Sequence, residues 1–285
     1  MTASPQTRVR ARVGEELRLV WRFVVTQLQS LVFAILLFAA MAFTDVVVLP
    51  IARYDALLIA GLAITVGLWW SGYETAREVG VIAAFHLLGL GLEIFKVAQG
   101  SWTYPDAGVT MIAGVPLYSG FMYAAVGSYL CQAWRRFDLR ITGYRSVPMA
   151  ILAVAAYLNF FTHHWIWDLR WATAAAFLAA MWGTSVHYSI GDRRLRMPLA
   201  IAFVLIGFFL WGAENMGTFL GAWQYPDQAD LWQAVHMGKL GSWALLVTLS
   251  FVIIATLKQY EGTFYGHPGD GPTVRQRDDP GGADS

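Results

Sequence analysis

Glu93-Ile94-Phe95-Lys96-Val97-Ala98-Gln99-Gly100-Ser101-Trp102-Thr103-Tyr104-Pro105-Asp106 is a phrase that the chain states twice. Its second copy reads Glu214-Asn215-Met216-Gly217-Thr218-Phe219-Leu220-Gly221-Ala222-Trp223-Gln224-Tyr225-Pro226-Asp227. Glu, Gly, Trp, Tyr, Pro and Asp recur at matching places, each 121 residues on. Gly91 and Gly212 keep that offset, as do Gly120 and Gly241. Two readings are open. One is an internal repeat kept for packing, with Trp and Tyr as interface anchors and Pro as a helix breaker. In the other, the repeat also marks a functional site.

The composition around the phrase places it in a membrane. Of 285 residues, 57% are hydrophobic and 14% charged, against roughly 25% charged in soluble domains. A single Cys, Cys131, excludes an intramolecular disulfide and any Cys-built zinc or iron–sulfur site. The basic residues sit in short loops between apolar runs, which gives a nucleic-acid role no support. The N-terminal apolar run is too long for a signal-peptide core and has no clear small-residue cleavage site. It is expected to follow a short polar tail and an interfacial helix start over residues 1–23.

A spanning helix needs about 20 mainly apolar residues. On that criterion the expected spans cover residues 24–43, 56–70, 79–99, 109–134, 148–161, 171–188, 198–220 and 230–257. Pro116 is an expected kink in the fourth, and Trp69, Trp70 and Tyr73 fit an aromatic belt. The reading is therefore an all-α polytopic protein of about eight transmembrane helices in two parallel four-helix repeats, residues 24–134 and 148–258. A Gly-, Pro- and Asp-rich tail, 262–285, is expected to be disordered and cytoplasmic.

With both termini inside, alternating spans put 16 of the 20 Lys and Arg residues on the inner side, as the positive-inside rule requires. Four spans separate the two copies, so both fall on the outer face and the halves run in the same direction.

Ionisable side chains within a bilayer cost roughly 2.5–3.5 kcal/mol each and mark functional candidates. Glu93 precedes Gly100 by seven residues, about 10 Å of helix below the outer boundary, and Glu214 matches it. His86 lies two turns further in on the same face. His236 and Lys239 enter from the outer side on one face, and Asn159 lies one turn before His163. Glu93, Glu214, His236, Lys239 and His163 are the candidate catalytic set. His86, Trp102, Tyr104, Asp106, Asn159, His164, Trp223, Tyr225 and Asp227 are the candidate binding set. The expectation is one polar cavity between the halves, open to the outside and rimmed by the Trp and Tyr residues. Each residue also has a structural reading: Glu214 and Lys239 as an ion pair, Lys96 as a snorkelling cation, His163 and His164 as interfacial residues, Asp106 and Asp227 as helix caps.

Three chemistries fit such a set. A carboxyl group in an apolar pocket can hold or deliver a proton near neutral pH, so two of them could protonate a polyene at one point and deprotonate it at another. His and Glu are also metal ligands, but no His-x-x-His or Glu-x-x-His spacing occurs, and no metal site is assigned. Parallel repeats with mid-membrane charges also describe carriers. There is no Walker motif or Gly-rich nucleotide fingerprint. Ser101 has no Gly-x-Ser-x-Gly context and becomes Ala222 in the second copy.

The chain resembles the bacterial integral membrane family of domain of unknown function 817, the YoaT-like proteins. The resemblance lies in Leu92-Glu93-Ile94-Phe95-Lys96 with Gly100-Ser101-Trp102-Thr103-Tyr104-Pro105, in Val115 to Tyr123, in Asn159-Phe160-Phe161-Thr162-His163-His164, in Ala213 to Phe219 and in Lys239-Leu240-Gly241-Ser242-Trp243. It covers residues 20–260 and implies an integral membrane protein, with no activity to carry over. A looser likeness is to the membrane lycopene cyclases and related carotenoid enzymes. Their Pro-x-Glu-Glu motif is replaced here by Val115-Pro116-Leu117-Tyr118, without the paired Glu.

The expectation is an inner-membrane protein that modifies an apolar lipid or isoprenoid by Glu acid/base chemistry. Secondary transport of a small solute and a purely structural role stand as alternatives. Membrane lipid is the expected partner; cofactor, substrate and oligomeric state are unspecified. An enzyme needs an opening from the cavity to lipid, and a carrier needs a route to the inner face.

Overall fold

The computed structural model describes residues 5–162, 165–262 and 264. His163, His164 and nearly all of the tail expected to be disordered therefore lie outside the described residues. The chain opens with α1 (Pro5–Ser30) and α2 (Val32–Val46), bent by 66° at Leu31. Next come α3 (Arg53–Trp70) and α4 (Ala76–Ala98). A capping box starts α4: Glu78 N–H donates to Thr75 Oγ1 (3.2 Å) and Thr75 N–H to Glu78 Oε2 (2.7 Å).

A two-residue hairpin, β1 (Met111–Ile112) and β2 (Val115–Pro116), follows the first copy of the phrase. Its corner residues Ala113 and Gly114 both have positive φ, as a tight hairpin turn requires. A 3₁₀ turn at Leu117–Ser119 leads into α5 (Gly120–Arg136), then β3 (Arg140–Thr142), α6 (Ser146–Thr162) and α7 (Arg170–Ala180). The hairpin β4 (Ser185–Ile190) and β5 (Arg193–Pro198) runs directly into α8 (Leu199–Phe219), and α9 (Lys239–Tyr260) follows a second 3₁₀ turn at Pro226–Gln228.

The strands β3, β4 and β5 form an antiparallel sheet in that order, with Arg140, His187 and Arg196 opposite one another. Ile141, Val186 and Ile190 on its other face are buried. Helices α4 and α5 pack closely because glycines lie at their contact. A Cβ at Gly89 would meet the Tyr123 ring at 2.3 Å, and one at Gly127 would meet Phe85 at 3.0 Å. One apolar cluster gathers Phe33, Tyr54, Tyr118 and Phe121 with Trp223 and Tyr225 of the second phrase. Another joins Trp134, Met149, Phe177, Phe203 and Phe251.

Eight membrane spans in two four-helix repeats are not what forms. Among the described residues, two helices are long and apolar enough to cross a membrane, Ala76–Ala98 and Leu199–Phe219; the bent pair α1–α2 adds a third if it counts as one span. The expected fourth span is broken by the β1–β2 hairpin and the 3₁₀ turn around Pro116, the sixth stops at Ala180, and the eighth begins only at Lys239. Nor is the fold all-α: two segments expected as basic inner loops pair with the end of the sixth span as the three-stranded sheet. Two apolar helices of this length, in a chain 57% hydrophobic, link the protein to a membrane.

Candidate functional site

Each copy of the phrase reverses the chain at the end of a helix. Gly100 (φ 68°) and Gly221 (φ 63°) take the left-handed conformation. The following N–H groups reach back across the last turn: Ser101 to Lys96 O and Ala222 to Gly217 O, both 3.0 Å. This is a glycine-terminated helix end that satisfies otherwise orphaned carbonyls. The reversal folds Trp102 and Tyr104 back over α4, and Trp223 and Tyr225 back over α8.

The returning side chains meet the two glutamates, each 3% exposed. Trp102 Nε1 and the Tyr104 hydroxyl both donate to Glu93 Oε2 at 2.6 Å, and the Tyr123 hydroxyl donates to Oε1 at 2.7 Å. Glu214 accepts from the Tyr225 hydroxyl and from Trp243 Nε1. Burying a carboxylate without partners is expensive; five neutral aromatic donors offset that cost here. Burial, reinforced by the Glu93 charge, pushes the Tyr104 phenol well above its ordinary range, so it remains a donor.

The two centres touch. Thr103 and Gln224 exchange backbone hydrogen bonds, the Trp102 and Tyr225 rings stand edge to face at 6.0 Å, and Lys239 Nζ lies 4.2 Å from the Tyr225 centroid and 5.9 Å from that of Trp102. Among the described residues Lys239 has no carboxylate within 4.0 Å, so the Glu214–Lys239 ion pair does not form. Trp223 does not bond Glu214. Its ring covers Gly217, where a Cβ would lie 2.1 Å from it.

Glu93 and Glu214 line one cavity of about 1150 Å³, together with Trp102, Tyr123, Trp223, Tyr225 and Trp243. The expected cavity was polar and opened outward. This one is apolar over most of its wall and runs away from the glutamates between α1, α2, α5 and α8 to Val186 and Tyr188 of the sheet.

The other candidates lie elsewhere. His236 is exposed in the loop before α9, where its Nδ1 accepts from Gly238 N–H at 3.0 Å. His86 packs against Phe121 (4.4 Å between centroids), and its buried Nδ1 has no partner among the described residues. Asn159 holds the loop between α6 and α7, donating to Trp167 O at 2.9 Å and accepting from Leu169 N–H at 3.0 Å. Asp106 pairs with Arg53 at 2.9 Å, and Asp227 is exposed. Among the described residues no three His, Cys, Asp or Glu side chains are grouped to hold a metal.

Sequence reasoning missed Tyr123, Trp243 and Arg53. The first two reach the glutamates from α5 and α9, the helices after each phrase. Arg53 Nη2 donates to Leu220 O at 2.5 Å while Nη1 bonds Asp106, tying the first phrase to the second.

Comparison with known proteins identifies the family of the chain. A family model described as "Protein of unknown function (DUF817)" matches residues 19–251. The chain is 52% identical over 237 residues to "Uncharacterized protein YoaT" of Bacillus subtilis (strain 168), covering 82% of this chain and 89% of that one. No solved structure matches. The two phrases and their buried glutamates lie within the matched span, and the chain belongs to the DUF817 family.

Proposed function

We propose that this protein is a multi-pass enzyme of the bacterial cytoplasmic membrane that modifies a lipid or isoprenoid chain by proton transfer at Glu93 and Glu214. One observation carries the reading: both glutamates line a single cavity whose wall is otherwise largely apolar. One carboxyl group delivers its proton to a double bond of the bound chain. The other takes a proton from a carbon beside the resulting cation, so the net change is an isomerisation or cyclisation without redox chemistry. The face of Trp243, which also lines the cavity, suits a transient cation. Orientation follows from charge: α4 and α8 start beside Arg77 and beside Arg193, Arg194 and Arg196, and end at the glutamate site. Those arginines, and with them both termini, are assigned to the cytoplasmic side.

Secondary transport is the second reading, favoured by the reach of the cavity from the glutamates to the sheet. Its apolar wall weighs against a polar solute.

The test is lipid extraction and mass spectrometry from cells lacking the gene, carrying it, or carrying the folded Glu93→Gln/Glu214→Gln variant. A species that follows the intact gene and not the variant supports the enzyme. An unchanged lipid profile with pH-dependent solute uptake supports transport, and loss of thermal stability alone supports a structural role.

A further inference from the structure

The cavity that holds Glu93 and Glu214 has a length, a wall and an entrance, and together they restrict its occupant. Its lining on α8 runs from Ala202 to Met216, which is about 21 Å of helix. The cavity is thus a slot, with a volume at the upper end of or beyond the ~300–1,000 Å³ of ordinary small-ligand pockets. Among the described residues no Lys, Arg or His lines it, and its two carboxyl groups stand at one end. The nearest cation at that end, Lys239, is engaged with the Tyr225 and Trp102 rings and is not part of the wall. An anionic headgroup brought to the glutamates would meet like charge, with Lys239 held behind the Tyr225 and Trp102 rings and out of direct reach. A hydroxyl group would meet acceptors.

The entrance is lateral. Leu28 and Ile35 on the α1–α2 arm, and Leu205, Phe209 and Met216 on α8, line the slot and are also 44–71% exposed. Large apolar side chains on both rims, open to the surroundings, fit an approach from the bilayer side.

We propose that the slot takes one elongated, uncharged lipid ending in a hydrogen-bond donor, of the class of long-chain isoprenoid alcohols, and admits it sideways between the α1–α2 arm and α8. The chain lies along α8 with its hydroxyl end at Glu93 and Glu214. This rests on the same site as the proposed enzyme, but it concerns occupancy and not turnover.

Gly212 supplies the probe. It lines the slot, and a Cβ built there meets no atom within 4 Å, so a larger side chain starts out in open space. Full-length protein in phosphatidylcholine nanodiscs is titrated with radiolabelled geranylgeraniol or geranylgeranyl phosphate, with empty discs subtracted. The expected result is binding of the alcohol, with the phosphate weaker by more than about tenfold. Gly212→Phe abolishes alcohol binding at unchanged thermal stability, and Glu93→Gln/Glu214→Gln narrows the preference over the phosphate. Should Gly212→Phe not fold, Ala202→Phe blocks the slot at its other end. Equal binding of alcohol and phosphate, or full binding to the blocked variants, overturns the proposal. Alcohol binding with no lipid change in cells would keep this inference and sink the enzyme. A lipid change without slot-dependent alcohol binding would do the reverse.

Discussion

Thr103 and Gln224 donate to each other's carbonyl oxygens, both at 2.9 Å, in an isolated antiparallel bridge. They occupy the same place in the two phrases, 121 residues apart. The bridge also sets the Trp102 indole, bonded to Glu93, against the Tyr225 ring, whose hydroxyl is bonded to Glu214. Two glutamates far apart in sequence are joined by a short path of hydrogen bonds and ring contacts.

The bridge depends on the two helix ends turning back. Gly100 and Gly221 hold left-handed backbone angles that cost an L-residue about 1–2 kcal/mol. A Cβ at Gly100 meets nothing within 4 Å, whereas one at Gly221 lies 3.3 Å from Arg53 Nη1. Gly100→Ala should therefore cost about 1–2 kcal/mol, Gly221→Ala at least as much, and Gly100→Asn less, since Asn tolerates this conformation. Thermal unfolding in detergent gives the ranking. Wild-type stability for both alanine variants would show that the reversals need no glycine.

Tyr123 should matter as much as the residues of the phrase. Tyr123→Phe removes one of three donors to Glu93 and should cost roughly 1.5–3 kcal/mol, the range for a hydrogen bond to a charged group. Gly89→Ala should act on the same bond from behind, because its Cβ would sit 2.3 Å from the Tyr123 ring; overpacking of this kind costs about 1–3 kcal/mol. Thermal unfolding of the two single variants and the double variant measures the coupling, and the double variant should fall well short of the sum. Additive losses would mean that Gly89 acts through something other than Tyr123.

What the sequence made legible was local. Glu93 and Tyr104 lie within eleven residues, so a helix end followed by a glycine turn is enough to bring them together, as with Glu214 and Tyr225. Tyr123 and Trp243 come from the next helices, and no local spacing reports a packing contact. Hydropathy puts His236 in a span over residues 230–257, whereas Asp230 to Met237 form a loop before α9. The sheet was missed because Arg193, Arg194 and Arg196 read as a basic loop. The signal was alternation: Val186, Tyr188 and Ile190 face one way, followed by a Gly191-Asp192 corner and then Leu195 and Met197 on the same face. Hydropathy overcounted the spans because it averages over Pro116 and the corner at Gly114, where the backbone leaves the helix.

Arg53 joins the two phrases in a manner that lysine cannot copy. Its guanidinium bonds Asp106, Leu220 O and, at 3.4 Å, Gly221 O, with a side chain only 15% exposed. A lysine presents one point charge in place of a planar fork. Arg53→Lys should leave at least one of these acceptors unpaired and cost about 1–3 kcal/mol. Asp106→Asn should cost less, because the carbonyl contacts remain. Urea-induced unfolding of the two variants compares them, and a lysine variant as stable as wild type would reduce Arg53 to a surface ion pair.

Glu74 gives the protein a pH dependence of unusual sign for a carboxylate. It lies in the turn between α3 and α4, 1% exposed, with the Ser128 hydroxyl donating to Oε1 at 2.5 Å. Burial pushes its carboxyl group up from 4.5 to about 7; hydrogen bonds from Ser128 and Gln132 oppose the rise, and the Glu78 charge adds to it. Between those values the folded chain holds a proton that the unfolded chain has released. Stability from this group is complete below about 4.5, falls as pH rises towards about 7, and is constant above. Wild-type melting temperature should therefore decline between about pH 5 and about pH 8. Glu74→Gln, which cannot ionise and can still accept from Ser128, should flatten that decline and be at least as stable as wild type at the upper end. Parallel pH profiles for the two proteins would show that Glu74 ionises in the folded chain as it does in the unfolded one.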